Sequence, residues 1–369
     1  MKTTSILATA PKIGAYTLAN RVVMAPLTRM RANADLAPYD LTATYYAQRA
    51  SAGLIITEAS QISQQGQGYP ATPAIYSAAQ IEGWKKVNDA VHAENGHIFI
   101  QLWHVGRISH SSHQPDNKLP VSASAIAAPG NAFASDFSRV PYETPHALTV
   151  EEIQQVLADY KQAAIHAKEA GFDGIEIHAA NGYLIEQFLR ESTNKREDQY
   201  GGSQENRARF LFEVLETVLT VWPADKVAIR LSPLFTGTIP ADPDPLPIYD
   251  YVVKRLAPYH LAYLHIIESV AFEQGFTPEN KEEVLANLLV KRYRALYSNP
   301  IIAANGFTKE SAEAVVEAGY ADAIAFGTAY ISTPDLAYRL IEGIAPNEPN
   351  PSTFYGGGAE GYTDYPTHK

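Results

Sequence analysis

The sequence predicts an α/β protein, a (β/α)8 TIM barrel, and three observations lead to this fold class. Short runs rich in Val, Ile and Leu recur along the chain, amphipathic helical segments lie between them, and the junction from helix to strand repeats. The apolar runs are continuous rather than alternating, which is typical of strands in a parallel sheet covered by helices. Helix–strand units that repeat eight times indicate a (β/α)8 barrel.

Eight apolar runs are the predicted barrel strands. In chain order they are RVVMAPLT (21–28), LIITEASQI (54–62), HIFIQLWH (97–104), DGIEIHAA (173–180), VAIRLSP (227–233), LAYLHIIES (261–269), PIIAANG (300–306) and ADAIAFG (321–327).

The clearest helical pattern precedes the fourth run, over residues 149–171. Thr149 and Glu152 have the spacing of a capping box, and Gly171 stands where a C′ glycine ends a helix. The apolar residues between them fall on one helical face. The ending EAGFDGI (169–175) resembles EAGYADAI (317–324), so both segments predict a helix end, a glycine turn and the next strand.

We expect one domain over residues 1–369, with two departures from the repeating pattern. Residues 105–148 form a long irregular insertion after the third strand, rich in Ser, Pro and Ala, and insertions of this kind are usually caps or lids. Residues 344–369 form a tail rich in Pro, Gly and Tyr. This tail is either a frayed terminus or, as its tyrosines favour, an ordered segment that docks.

Composition limits the partners. The net charge of −11 argues against nucleic acid and anionic membranes, because both need basic patches. The absence of cysteine excludes disulfides, zinc–thiolate sites and a thiol nucleophile, and we expect no metal site. The N-terminal apolar patch is too short for a signal peptide, and no run approaches the roughly 18 residues of a membrane span. We therefore expect a soluble cytoplasmic enzyme.

Polar residues gather where the predicted strands end, which is where TIM barrels have their active sites. The fourth run continues into HAANGYL (178–184), with His178, Asn181 and Tyr183. Side-chain alternation predicts that Glu176 and His178 face the barrel interior. Other polar or small residues at strand ends are Pro26, Thr28, Gln101, Trp103, Arg230, Asn305, Gly306, Gly327 and Thr328.

These residues predict a barrel enzyme with a phosphate-bearing cofactor. Loops after strands 7 and 8 commonly bind phosphate, while the Rossmann pattern for nicotinamide is absent. His178 and Asn181 can donate hydrogen bonds to one carbonyl or nitro oxygen, and Tyr183 can donate a proton. Structural explanations remain open: His178 as a satisfied core histidine, Arg230 as a simple partner of Glu176, and turn glycines without a ligand.

Longer segments carry a family resemblance. HAANGYLIEQF (178–188) and ESTNKREDQYGGSQENRARF (191–210) resemble the old yellow enzyme family of FMN-dependent ene reductases. RVVMAPLTRMRA, IFIQLWHVGR and TFYGGGAEGYTDYP are similar to the family's first strand, third strand and C-terminal tail, so the resemblance covers nearly the whole chain. It implies tightly but non-covalently bound FMN, NADPH or NADH as reductant, and activated alkenes (unsaturated carbonyls, imides, nitroalkenes) reduced in a ping-pong cycle by a monomer or homodimer.

The resemblance also implies roles for single residues. Thr28 resembles the threonine near the flavin N5–C4 edge, and Arg230 the cation beside flavin N1 and O2. Tyr183 resembles the proton donor, and His178 with Asn181 the pair that holds the substrate oxygen. By the same resemblance Pro26, Ala59 and Gln101 contact the isoalloxazine ring, and Tyr69, Trp103 and Tyr355 line the substrate side.

One position departs from the family pattern. Strand 8 ends in Phe326-Gly327-Thr328, where the family usually has Phe-Gly-Arg with the arginine on the FMN phosphate. A hydroxyl does not replace a bidentate cation. Backbone N–H groups could still hold FMN, so Asn305, Gly306, Gly327 and Thr328 remain the predicted phosphate side. The alternatives are a flavin- or phenol-binding barrel with little turnover, and a non-redox lyase or isomerase that uses His178 as its base.

Overall fold

A computed structural model describes residues 5–268 and 275–368, and its centre is a closed parallel barrel of eight strands. The barrel strands are β1 (Val22–Met24), β2 (Leu54–Ile56), β3 (Ile98–Trp103), β4 (Gly174–Ala179), β5 (Val227–Leu231), β6 (Tyr263–Ile267), β7 (Ile301–Ala304) and β8 (Ala323–Phe326). Strand β8 pairs with β1 and β3 pairs with β4, so the sheet has no open edge. The predicted fold class is confirmed. Each strand is shorter than its predicted run, and residue 269 of the sixth run lies outside the described residues, as do residues 1–4 and 369.

Helices surround the barrel and connect successive strands. They are α1 (Asp40–Ala47), α2 (Ala78–Ala93), α3 (Val150–Glu169), α4 (Leu184–Leu189), α5 (Gln204–Leu219), α6 (Leu246–Leu256), α7 (Lys281–Asn287), α8 (Leu289–Arg294), α9 (Lys309–Glu317), α10 (Thr328–Ser332) and α11 (Leu336–Glu342). In the part of the chain that the structure describes, no helix is long and apolar enough to cross a membrane.

Helix α3 has the predicted ends. The Thr149 side chain accepts a hydrogen bond from Glu152 N–H, and the Glu152 side chain bonds back to the cap. Gly171 follows the last turn with a φ of 86°, a left-handed conformation that glycine adopts without steric cost. The predicted capping box and glycine stop are therefore confirmed, because both depend only on local sequence.

The barrel interior changes from apolar to polar along the strands. Toward their N-terminal ends, a buried cluster that includes Phe99, Ala228 and Tyr263 fills the barrel. Because side chains two residues apart share a face, Gln101, Arg230 and His265 lie one layer nearer the C-terminal ends. Glu176 faces the same interior and bonds to Gln101 and His265, which confirms its predicted orientation. This polar layer therefore lies directly beneath any site at the C-terminal ends of the strands.

The insertion between β3 and α3 is more ordered than its irregular pattern predicts. It contains a hairpin, Asn131–Phe133 paired with Arg139–Pro141, and a parallel pair, Val121–Ser122 with His146–Ala147. Strands of two or three residues are too short to leave a periodic pattern in the sequence.

The C-terminal tail docks against the barrel. Arg29 Nη2 donates a hydrogen bond to the Gly361 carbonyl oxygen at 2.9 Å. The Arg31 guanidinium carbon lies 4.6 Å from the centre of the Tyr362 ring, which also stacks on Tyr45 at 4.1 Å. The structure therefore shows a tail that docks on the barrel and not a frayed terminus.

Candidate active site

Three adjoining cavities lie at the C-terminal ends of the strands and share lining residues. A central cavity of about 390 Å³ shares Pro26, Arg230 and Asn305 with a second cavity of about 330 Å³. It shares Thr28, Tyr183 and Thr238 with a third cavity of about 350 Å³. Because they share these residues, we term the three cavities together the cleft.

Every predicted site residue lines one of these cavities. The central cavity has Pro26, Thr28, Ala59, Gln101, Trp103, His178, Asn181, Tyr183, Arg230 and Asn305. The second, which we term the glycine-side cavity, adds Gly306, Gly327 and Thr328. The third, which we term the outer cavity, adds Tyr69 and Tyr355, the latter 60% exposed at its rim.

His178 is a neutral imidazole with its donor fixed. Its Nδ1 accepts a hydrogen bond from Ala180 N–H at 3.3 Å, so the ring proton is on Nε2. Burial, together with the nearby charge of Arg230, lowers the pKa of His178 well below its usual value. The ring therefore presents an N–H donor without a positive charge.

The turn after β4 holds Asn181 in a left-handed conformation, with a φ of 59°. Asn181 N–H donates to Ser232 Oγ at 2.7 Å, and its carbonyl oxygen accepts from Thr238 Oγ1 at 3.1 Å. The next residue must be glycine, since a Cβ on Gly182 would lie 2.3 Å from Thr238 Oγ1. With its backbone fixed on both sides, Asn181 directs its amide side chain into the central cavity.

A buried carboxylate supports the same turn. Glu186 Oε2 accepts hydrogen bonds from Gly182 N–H at 2.7 Å and from Ser232 Oγ at 2.9 Å. The Tyr249 hydroxyl donates to the other oxygen. Ser232 therefore links Glu186 to the Asn181 backbone, and this network sets where the Asn181 amide stands.

Tyr183 is a protonated phenol held by aromatic neighbours. Its hydroxyl lies 3.1 Å from the Tyr69 hydroxyl, and its ring packs edge-on against Trp103 at 4.9 Å. Tyr69 in turn stacks on Trp103 at 5.6 Å. Burial raises the pKa of Tyr183 to about 12, so the phenol carries a proton at neutral pH.

Arg230 makes no hydrogen bond or ion pair with the residues that the structure describes, although the Glu176 charge acts on it. Its buried Nε has no hydrogen-bond partner, and its side chain lines both the central and the glycine-side cavities. Glu176 instead bonds to Gln101 Nε2 at 2.6 Å and to His265 Nδ1 at 2.8 Å. No ion pair joins Arg230 to Glu176 in residues 5–268 and 275–368, so simple pairing does not explain the buried arginine. The unbonded Nε is therefore available to donate a hydrogen bond to a ligand.

Sequence reasoning missed several lining residues. Phe235 and Thr238 come from the loop after β5, and Phe133, Arg139 and Tyr142 come from the insertion. The insertion was predicted to cap the site, but no motif marks these individual positions. His265 could have been found, because a histidine inside the apolar run LAYLHIIES is the same signal that singled out Arg230.

Comparison with known proteins decides the family. A family model described as "NADH:flavin oxidoreductase / NADH oxidase family" matches residues 10–347. The chain belongs to this flavin oxidoreductase family. Rice (Oryza sativa subsp. japonica) 12-oxophytodienoate reductase 1 is 41% identical over 364 residues, which are 98% of this chain and 92% of that protein.

Two solved structures of the flavin oxidoreductase family are also close. Morphinone reductase in complex with tetrahydroNAD superposes with a TM-score of 0.89 and 45% identity, covering 98% of each chain. The old yellow enzyme homologue from Zymomonas mobilis gives a TM-score of 0.90 and 42% identity, covering 98% of this chain and 99% of that one. The resemblance to the old yellow enzyme family is therefore confirmed, and the chain is a flavin-dependent oxidoreductase.

Proposed function

We propose that this protein holds FMN and uses NADPH or NADH to reduce activated alkenes such as unsaturated carbonyls, imides and nitroalkenes. FMN, when bound, accepts hydride from the nicotinamide and gives hydride to the alkene in alternate steps. The observation that carries the proposal is the placement of two neutral hydrogen-bond donors, a protonated phenol and the Arg230 cation around one cavity. We also infer that residues 1–369 act as a single FMN-binding domain, and that the cysteine-free chain works in the cytoplasm.

The cleft suits an elongated cofactor with a polar ring and an anionic end. Arg230 supplies a cation beside the central cavity, where Gln101 also lies, and its Nε makes no hydrogen bond within residues 5–268 and 275–368. Gly306 and Gly327 line the glycine-side cavity and leave backbone open to a phosphate. We propose that Pro26, Thr28, Ala59, Gln101 and Arg230 hold the ring, and that Asn305, Gly306, Gly327 and Thr328 hold the phosphate.

The substrate oxygen would lie between His178 and Asn181. His178 Nε2–H and the Asn181 amide are both donors, and the described lining of the central cavity includes no carboxylate to oppose negative charge. Donors fixed before the reaction stabilise negative charge that develops on a carbonyl or nitro oxygen. Tyr183 would then protonate the alkene carbon, with Tyr69 orienting its hydroxyl.

The flavin spectrum and steady-state turnover test this function together. Purified protein should show the absorbance bands of oxidised flavin and should oxidise NADPH or NADH only when an unsaturated ketone or nitroalkene is added. Flavin bands without turnover would favour a binding barrel. Turnover of a substrate without flavin would favour a non-redox lyase or isomerase.

Thr328→Arg is expected to tighten FMN binding about 10- to 100-fold, since a hydrogen bond to a charged group contributes roughly 1.5–3 kcal/mol. Thr328 is exposed and lines the glycine-side cavity, so a longer side chain has room there. Fluorescence titration of apoprotein gives the dissociation constants. Riboflavin, which lacks the phosphate, is the control, and equal tightening of riboflavin would contradict the phosphate assignment.

Excision of the insertion hairpin is expected to change the choice of alkene more than the reaction with the nicotinamide. Ala132 and Val140 are directly paired, so residues 133–139 can be replaced by Asn-Gly without moving the strand ends. The change removes Phe133 and Arg139 from the outer cavity. We expect relative kcat/KM between small and bulky alkenes to shift about 10-fold or more, as altered pocket contacts do. Stopped-flow rates that change equally in both half-reactions would place the hairpin away from the substrate.

A further inference from the structure

We propose that Glu176 is a positioning residue that sets the charge and hydrogen-bond polarity beneath the central cavity, and thereby lowers the reduction potential of the cofactor held there. The group concerned, which we term the barrel floor, is Gln101, Glu176, Arg230 and His265. The inference rests on the proposed function, because its measurement uses bound FMN.

The Glu176 carboxylate is fully buried, and both of its oxygens are bound. Oε1 accepts from Gln101 Nε2 at 2.6 Å, and Oε2 pairs with His265 Nδ1 at 2.8 Å. Gln101 is in register with Glu176 across β3 and β4, and His265 is in register with Arg230 across β5 and β6. The carboxylate therefore links β3 to β6 through the barrel interior.

Glu176 also fixes which way the Gln101 amide points. An ionised carboxylate can only accept hydrogen bonds, so the amide nitrogen of Gln101 must face it. The amide oxygen is then left for the central cavity, which Gln101 lines. The Gln101 amide oxygen, an acceptor, and the Arg230 guanidinium, a donor, therefore lie together beneath the cavity. This pair is complementary to a ring edge with adjacent N–H and C=O groups.

The barrel floor places the Glu176 carboxylate and the Arg230 cation in one buried group. Burial alone would raise the pKa of the Glu176 carboxyl, but His265, Arg230 and Gln101 reverse this and lower the pKa, so the group is ionised. Burial lowers the pKa of both His178 and His265, and at His265 the Glu176 carboxylate opposes this effect. Negative charge that arrives with electrons is therefore attracted by Arg230 and repelled by Glu176. Removing the Glu176 charge should favour the reduced cofactor.

The test compares three variants of the FMN-loaded protein. Glu176→Gln removes the charge and keeps the shape, and Glu176→Asp keeps the charge and changes the shape. Asp173→Asn is the matched control, because the Asp173 carboxylate also bonds to a histidine, His92, at 3.0 Å. Asp173 precedes Glu176 by three residues, which places it about 10 Å away along β4. The measured quantity is the reduction potential, by equilibration with a reference dye.

We expect Glu176→Gln to increase the ratio of the affinity for reduced FMN to that for oxidised FMN at least tenfold. For a two-electron couple this raises the reduction potential by about 30 mV. Glu176→Asp and Asp173→Asn should stay within about threefold of the parent, because each keeps the floor charge. An unchanged or lowered potential in Glu176→Gln overturns the proposal, as does a larger rise in Glu176→Asp than in Glu176→Gln. If Glu176→Gln does not fold, the reduction potential of Glu176→Asp is compared with that of Asp173→Asn. A tenfold rise in the affinity ratio in Glu176→Asp would then overturn the proposal. Failure of the proposed function is separate: it would show in the parent protein, as absent flavin or absent turnover.

Discussion

Tyr183→Phe is expected to slow the reduction of an unsaturated ketone by about 10²- to 10⁴-fold, the usual contribution of a positioned acid. The Tyr183 phenol is buried, lines the cavity that holds the two donors, and has its pKa raised to about 12. Reduction of FMN by the nicotinamide needs no proton from this group. FMN binding and that half-reaction should therefore stay close to the parent.

Stopped-flow measurement of both half-reactions checks this expectation. A nitroalkene should be less affected than the ketone, because hydride transfer gives a stable nitronate that water can protonate later. Tyr142→Phe is the matched control, since Tyr142 also lines the outer cavity as a partly buried phenol but does not line the central one. Ketone reduction at the parent rate in Tyr183→Phe would mean that Tyr183 is not the acid.

Loss of the Asn181 amide is expected to slow alkene reduction by about 10²- to 10³-fold, as loss of one oxyanion donor does. Asn181 has a φ of 59°, so alanine would add backbone strain at this position and glycine would not. Asn181→Ala and Asn181→Gly should therefore both lose the rate, since both lose the amide. FMN should remain bound in each.

Phenol binding gives a second measure of the same donor. A phenolate held by His178 and Asn181 should bind more weakly to both Asn181 variants, as followed by the change in flavin absorbance. A loss of affinity and rate in Asn181→Ala alone would assign the effect to the backbone of the turn. Unchanged phenol affinity in both variants would remove Asn181 from the substrate site.

Features that depend on local periodicity could be predicted from the order of the residues. Continuous apolar runs predicted the eight barrel strands, because a strand buried on both faces is mostly apolar. The Thr149 cap and the Gly171 stop are set by residues within a few positions of each other. The alternation of side chains along a strand, with a period of two residues, predicted that Glu176 faces the barrel interior, where it bonds to Gln101.

Which polar groups contact each other depends on the fold of the whole chain. Tyr69 reaches Tyr183 across 114 residues of chain, and Glu176 bonds to partners 75 and 89 residues away rather than pairing with Arg230. Arg29 holds the tail from 332 residues away. The insertion hairpin enters the outer cavity without a sequence motif. These contacts arise because closure of the barrel brings distant strand ends to one level. Side-chain periodicity predicts which face of a strand a residue occupies, but it does not predict which residue lies opposite across the barrel.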